Sequence, residues 1–423
     1  MTKQQRQALQ KVQGRLSHFV QLLGSHVSKP RAKFLRDMVF GILIARTPIV
    51  TDVARQLKET ISLKKTLKRL DYHLRQKGLH QEISQVHLKA HQTALKRCRY
   101  LVVDVSDLQR AWSSRQEGLA VVYDGSTGKT GPGFWLCNAV GVSADGQTLV
   151  PAFSELYSLN SEATSENRKI LGAIHTVQDV LDTPLITVID RGGDRRHLML
   201  PLIQAQVPFI IRQVGNRTVY FKGEALLVEE LAKSVHLGDT FRVQKMGKHR
   251  RREETYRAGI VSVQLTKDGP SLWLMVTHRK GKGRCFFLGF LPDVPEAGEA
   301  LSTMFEGYGL RWKIEEVHRH VKTTYQWEAI AVEKYLKLKN LNAIFWVAIS
   351  FIYVRLESIA HVLVLSSGVA LLHRMKIREI TGFVYYKLSK AVTILLASVV
   401  PRHHHPQARH SSTEAQLHLA LHY

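Results

Sequence analysis

The spacing of hydrophobic positions changes along this chain, and each change predicts a different kind of element. Up to about residue 95 the spacing is helical. Val12, Leu16, Phe19, Val20 and Leu23 recur at three- and four-residue steps, and Phe34 to Ile44 predicts a second helix. Two shorter helices follow, 51–57 and 64–74, separated by a break at 58–63, with Thr51 or Asp52 expected to cap the first. From 99 to 212 the pattern becomes strand-like. Residues 99–105 are an almost unbroken apolar run with Asp104 near its end, as expected of a strand covered on both faces. Leu119 to Tyr123 and Phe134 to Val142 read as two more strands, joined by a loop rich in Gly125, Gly128, Gly131, Pro132 and Gly133. A helix is expected over 160–181, starting near Ser161. A second buried strand runs from Leu185 to Ile189 and ends on Asp190, a helix follows Asp194, and Val207 to Ile211 is a further strand.

Short strands dominate 213–300: 218–221, 240–243, 258–265, 272–277 and 285–291, with a basic hairpin-like run at 245–252. Residues 308–322 return to helical spacing. As one helix, Leu310, Ile314, Val317 and Val321 form an apolar stripe. Tyr308, Arg311, Glu315 and Lys322 then lie nearly opposite, with Arg319 beside them. Apolar helices continue to about residue 400. The run 341–369 is interrupted by Arg355, Glu357 and His361, so it reads as a buried helix and not a membrane span. The tail, with His403, His404, His405 and His410, reads as disordered. The order of elements predicts an α/β protein with a ribonuclease H-like sheet interrupted by a mostly β insertion. The expected divisions are a helical region at 1–95, the first part of the core at 96–212, the insertion at 213–300, the second part of the core at 301–335 and a helical region at 336–423.

Charge narrows the partner. Sixty Lys and Arg stand against 35 Asp and Glu, giving +25 and a pI near 10. A polyanion is implied, nucleic acid first, with a ribosomal or membrane surface as the competing explanation. Lys64, Lys65, Lys68 and Arg69 load the second short helix, so the pair suggests a helix-turn-helix on double-stranded DNA; a bundle with a solvated basic face gives the same pattern. Three cysteines, Cys98, Cys137 and Cys285, form no C-x-x-C pair. They argue for a reducing compartment and against a zinc site or disulfide framework. No apolar leader follows Met1, so a cytoplasmic, nucleoid-associated protein is expected, with no membrane partner. Gly125 to Thr130 echoes a phosphate-binding loop, but Tyr123 stands where that motif needs glycine, which argues against an ATPase.

The candidate chemistry lies in acids at strand ends. Asp104 and Asp190 end apolar runs, where open α/β sheets build sites, and Asp107, Asp124 and Asp194 compete with them. Glu315 among cations suits a divalent ion beside a phosphodiester: the acid holds the ion and the cations hold phosphates.

Tyr308-x2-Arg311-x3-Glu315-x6-Lys322 resembles the Y-R-E-K signature of DDE transposases of bacterial insertion sequences, the IS-four group. The run 311–316, Arg-Trp-Lys-Ile-Glu-Glu, resembles the same core. Asp104-Val105-Ser106-Asp107-Leu108 is similar to the family's D-x-[S/T]-x-L, and Asp190-Arg191-Gly192-Gly193-Asp194 to its D-R-x-x-D. The resemblance spans about 99 to 330 and selects Asp104, Asp190 and Glu315 as the catalytic, metal-binding triad. It implies Mg²⁺, with Mn²⁺ as a substitute, in cut-and-paste transposition by a homodimer on paired element ends. Tyr308, Arg311 and Lys322 would hold the cleaved end, with Arg191 and Arg319 as further phosphate contacts and Trp312 stacking or packing. Relatives stack a flipped base on an insertion-domain Trp. Here Trp273 is the Trp of that region, a strand earlier than the family places it, and the strand-processing route stays open. A nuclease that cuts without joining, and a non-catalytic DNA-binding repressor, remain as other readings.

Overall fold

The computed structural model describes residues 1–423 except 111–112, 114, 126–127, 247–250, 331, 370–383 and 399–423. The His-rich tail lies outside the described residues. The chain is a mixed α/β protein built around one large mixed sheet.

Five helices open the chain: α1 (Lys3–Gly24), α2 (Lys29–Ala45), α3 (Val50–Leu57), α4 (Leu63–Leu74) and α5 (Leu79–Leu95). α1 buries Val12, Leu16, Phe19 and Leu23, the stripe its spacing requires. At α3 the cap differs from expectation. Ile49 occupies the cap position without a side-chain bond, and Asp52 sits inside the first turn, where it pairs with Arg55. These helices share one hydrophobic core with α11 (Tyr335–Ser350) and the last described helix, α12 (Tyr385–Ala397). α11 packs against α2, α5 and the sheet and is buried along most of its length, which accounts for its apolar sequence. Among the described residues no single helix is long and apolar enough to cross a membrane.

The sheet begins with β1 (Tyr100–Gln109), β2 (Ala120–Asp124), β3 (Lys129–Val142) and β4 (Leu149–Tyr157). After α6 (Glu166–Gln178) come β5 (Ile186–Ile189), α7 (Arg196–Gln204) and β6 (Phe209–Gln213). β1 runs antiparallel to β3 and parallel to β5, and β5 runs parallel to β6. Two elements depart from the sequence pattern. β4 was not expected; it carries Pro151, which pairs with Val140 where the register shifts. α6 starts at Glu166 and not near Ser161, because Ser165 caps it by accepting from the Arg168 amide.

β7 (Thr218–Phe221), β8 (Glu224–Leu227), α8 (Val228–Ser234), β9 (Asp239–Met246), β10 (Arg251–Gln264), β11 (Ser271–Arg279) and β12 (Arg284–Phe290) follow. They do not form a detached sheet. β12 hydrogen-bonds to β6, so the order β2-β3-β1-β5-β6-β12-β11-β10-β7-β8 is continuous.

Residues 308–322 are not one helix. α9 (Ala297–Gly309) ends at Leu310, and α10 (Trp312–Tyr325) starts afresh with Arg311 at its N-cap. Gly309 is a weak helix former at the break. Ile314, Val317 and Val321 are buried on α10 as the stripe predicts, whereas Tyr308 belongs to a different helix from Glu315.

Candidate functional site

Side chains alternate along β1. Tyr100, Val102 and Leu108 enter the core shared with α10, and Leu101 and Val103 enter the core on the other face with α6 and α7. Asp104 therefore faces α10, which packs on β1 and β3. Val102 pairs with Val188 on β5, and carrying this parallel register on by two residues brings Asp190 beside Asp104. Neighbouring strands lie about 4.8 Å apart, so two acids 86 positions apart in sequence, 190 against 104, become neighbours. Asp190 Oδ1 accepts from the Gly192 amide at 2.8 Å, which fixes the turn carrying the exposed Arg191. Asp194 is committed elsewhere: Arg217 Nε lies 2.5 Å from its Oδ1 and the Val214 amide 2.8 Å from its Oδ2.

Glu315 lies in the first turn of α10 and is ion-paired with Arg311. Burial pushes the Asp104 carboxyl up to about 7; the Arg311 guanidinium opposes the rise, and the charges of Asp190 and Glu315 add to it. The three acids thus feel one another. As the side chains stand, however, no group of three or more His, Cys, Asp or Glu among the described residues is gathered closely enough to hold a metal ion. Glu315 is half-exposed and turned to Arg311.

Of the cations, Arg311 is the one set against these acids. Lys322 Nζ is 3.3 Å from the Asp107 carbonyl and 2.9 Å from Glu328. Arg319 and Trp312 are exposed, and the Lys313 ammonium lies 4.5 Å from the Trp312 ring centre. Tyr308 stacks at a tilt on Phe287 with centroids 4.5 Å apart, and Arg212 hydrogen-bonds to its side chain. Burial raises the Tyr308 phenol pKa against the pull of Arg311 and Arg212. Trp273 is half-buried against the core, and its indole N–H donates to Val294 O at 3.3 Å.

On α4, Lys64, Lys65 and Lys68 are exposed, as a DNA-facing helix requires. Lys64 and Lys68 line a groove of about 640 Å³ together with Arg75, Lys334 and Lys337. Arg69 differs from the three lysines in being engaged within the protein. It bonds Glu59 at 2.8 Å and Asp37 at 2.9 Å, and its side chain is only 25% exposed. Burial alone would raise the Glu59 carboxyl, but bonds from Arg69, Thr66 and Lys33 outweigh it and hold it at about 2.

Three side chains at the site were not singled out in the sequence: Arg212, His318 and Asn138. His318 Nδ1 lies 3.6 Å from Asp104 Oδ2, and its Nε2 lies 2.9 Å from Asn138 Nδ2. Burial drives the His318 imidazole down to about 3, and Lys322 and Arg311 add to the drop, so it is neutral. The Glu315-x-x-His318 spacing, one helical turn, was the available signal.

No family model matches this chain, and no curated protein matches it.

Proposed function

We propose that this chain is a DNA transposase that binds the inverted ends of its element and catalyses strand cleavage and strand transfer. The observation that carries the reading is that Asp104 and Asp190 each follow the Val102–Val188 pair of adjacent parallel strands by two residues, with the Asp190 charge felt at Asp104, under the helix that bears Glu315. The order β4-β3-β1-β5-β6, antiparallel up to β1 and parallel beyond it, supports a ribonuclease H-like core.

The donor chemistry suits Mg²⁺ or Mn²⁺, although the side chains as they stand are not gathered around one point: the three groups are hard oxygen ligands, and a divalent cation would relieve the cost of burying a charged Asp104 together with the smaller repulsion from Asp190 and Glu315. Asp104, Asp190 and Glu315 would hold it, with Glu315 exchanging Arg311 for the ion. Bound there, such ions activate an attacking oxygen and stabilise the leaving one in phosphoryl displacement. The chain's own groups do the rest. Arg311 and Lys322 bind phosphates at the cleaved end. Tyr308, held by Phe287 and Arg212, orients that end. Arg191 and Arg319 are exposed for further phosphates, and Lys64, Lys65 and Lys68 grip flanking duplex. Joining two ends in one reaction calls for a homodimer.

The test is strand transfer in Mg²⁺ on duplexes carrying the inverted ends that flank the protein's own coding sequence. Glu315→Gln should abolish cleavage and joining and leave the gel shift intact. Joined products from that variant refute the assignment, and cleavage without joining by the parent indicates a nuclease instead.

A further inference from the structure

We propose that Asn138 and His318 act as positioning residues for Asp104: Asn138 fixes the imidazole tautomer, and the His318 Nδ1–H orients the carboxylate that receives a divalent cation. The inference rests on the transposase reading only in taking Asp104 as a metal ligand.

The geometry begins in the sheet. Asp104 and Asn138 are directly opposed across β1 and β3, so their side chains share a face. α10 lies over that face and lowers His318 between them. An amide nitrogen can only donate, so at 2.9 Å from Asn138 Nδ2 the ring Nε2 must accept. A ring whose Nε2 accepts carries its one proton on Nδ1, the atom aimed at Asp104 Oδ2. The separation of 3.6 Å is longer than a hydrogen bond, and a small rotation of the carboxylate closes it. A neutral donor turns the carboxylate without cancelling the charge that a cation needs. Protonated histidine would compete with that cation.

Asn138 Oδ1, the Ser106 hydroxyl and the Trp346 indole nitrogen are buried without a hydrogen-bond partner in the protein, and the three residues line one cavity of about 20 Å³. Flipping the Asn138 amide would set an oxygen against His318 Nε2, and the ring could answer only by carrying its proton there and turning a bare Nδ1 lone pair toward the Asp104 carboxylate.

The experiment uses the full chain without DNA and reads Mn²⁺ binding by loss of the free-ion electron paramagnetic resonance signal. His318→Leu and Asn138→Leu should weaken Mn²⁺ binding roughly 10- to 100-fold, as loss of an outer partner of a metal ligand does. His318→Asn, which keeps an N–H donor near the Nδ1 position, should stay within a few-fold of the parent. In the joining assay, excess Mn²⁺ should return both leucine variants toward the parental rate, an effect that a purely structural defect does not show. If His318→Leu does not fold, Asn138→Leu and His318→Asn decide the matter. Parental affinity in the leucine variants, or His318→Asn as weak as His318→Leu, overturns the inference. If Mn²⁺ binding by the parent is indifferent to Asp104→Ala, the metal-site reading falls and takes the inference with it. Sensitivity to Asp104→Ala but not to His318→Leu removes the positioning role alone.

Discussion

Asp104→Asn should stabilise the metal-free protein, and the gain should depend on pH. The folded carboxyl titrates at about 7 against 3.8 for the free group, chiefly because it is buried. Between those two values the unfolded chain loses its proton while the folded chain keeps it. Folding stability therefore erodes by about 1.4 kcal/mol per pH unit as pH rises from near 4, and the erosion is complete above about 7. The full interval sets a ceiling of about 4 kcal/mol. Water reaches a side chain that is 21% exposed, so the expected gain at pH 8 is between about 2 and about 4 kcal/mol. The assay is urea unfolding in EDTA at pH 4, 5, 6, 7 and 8, comparing parent and variant. The gap between them should be small at pH 4, widen to pH 7 and then level off. Saturating Mg²⁺ should raise the parent's midpoint at pH 8 and leave the variant's almost unchanged, because a ligand stabilises only the state that binds it. A gap of the same size at pH 4 and pH 8, or a variant less stable than the parent at pH 8, refutes the account of a buried Asp104 carboxyl that resists ionisation.

Other consequences follow from neighbouring contacts. Arg69→Ala should lower unfolding stability by about 1–3 kcal/mol, since it strips Asp37 and Glu59 of a shared cation, as urea midpoints will show. Lys64→Ala and Lys68→Ala should cost less than about 0.5 kcal/mol of stability, yet each should reduce the slope of log K against log salt for duplex binding by about 1. A Cβ at Gly307 would lie 2.5 Å from Tyr100 and 2.9 Å from Ile210, so Gly307→Ala should lift α9 from the sheet and cost about 1–3 kcal/mol in the same unfolding assay.

What the sequence revealed depended on whether the signal was local. β1 and β5 were legible because a strand covered on both faces is a short apolar run, and the α10 stripe was legible because burial every third or fourth residue is a helical signal. The break between α9 and α10 was hidden because Leu310 continues the stripe across it. β4 was hidden because Pro151 argues against a strand, and only the register shift opposite Ala139 and Val140 makes room for it. Arg69 looked like its lysine neighbours until folding brought Glu59 and Asp37 to it from outside α4. His318 was marked only by its one-turn spacing from Glu315, and Asn138 needed the β1–β3 register, which no local pattern supplies.

The strands at 213–300 bear on the site more directly than an insertion into a loop would. β12 pairs with β6 so that Phe287 stands opposite Arg212, and Tyr308 uses both: its ring lies on Phe287 and its side chain bonds Arg212. One contact comes from β6 and the other from β12, so Tyr308 is positioned by their seam. α9 bridges further, since Gly307 lets it press on Tyr100 of β1 and Ile210 of β6 together. The strand bearing Asp104, the strand bearing Arg212 and the helix bearing Tyr308 are therefore packed as one unit. A shift at the β6–β12 seam would move Tyr308 relative to the acids, and a chain lacking β12 would lose the surface on which Tyr308 rests.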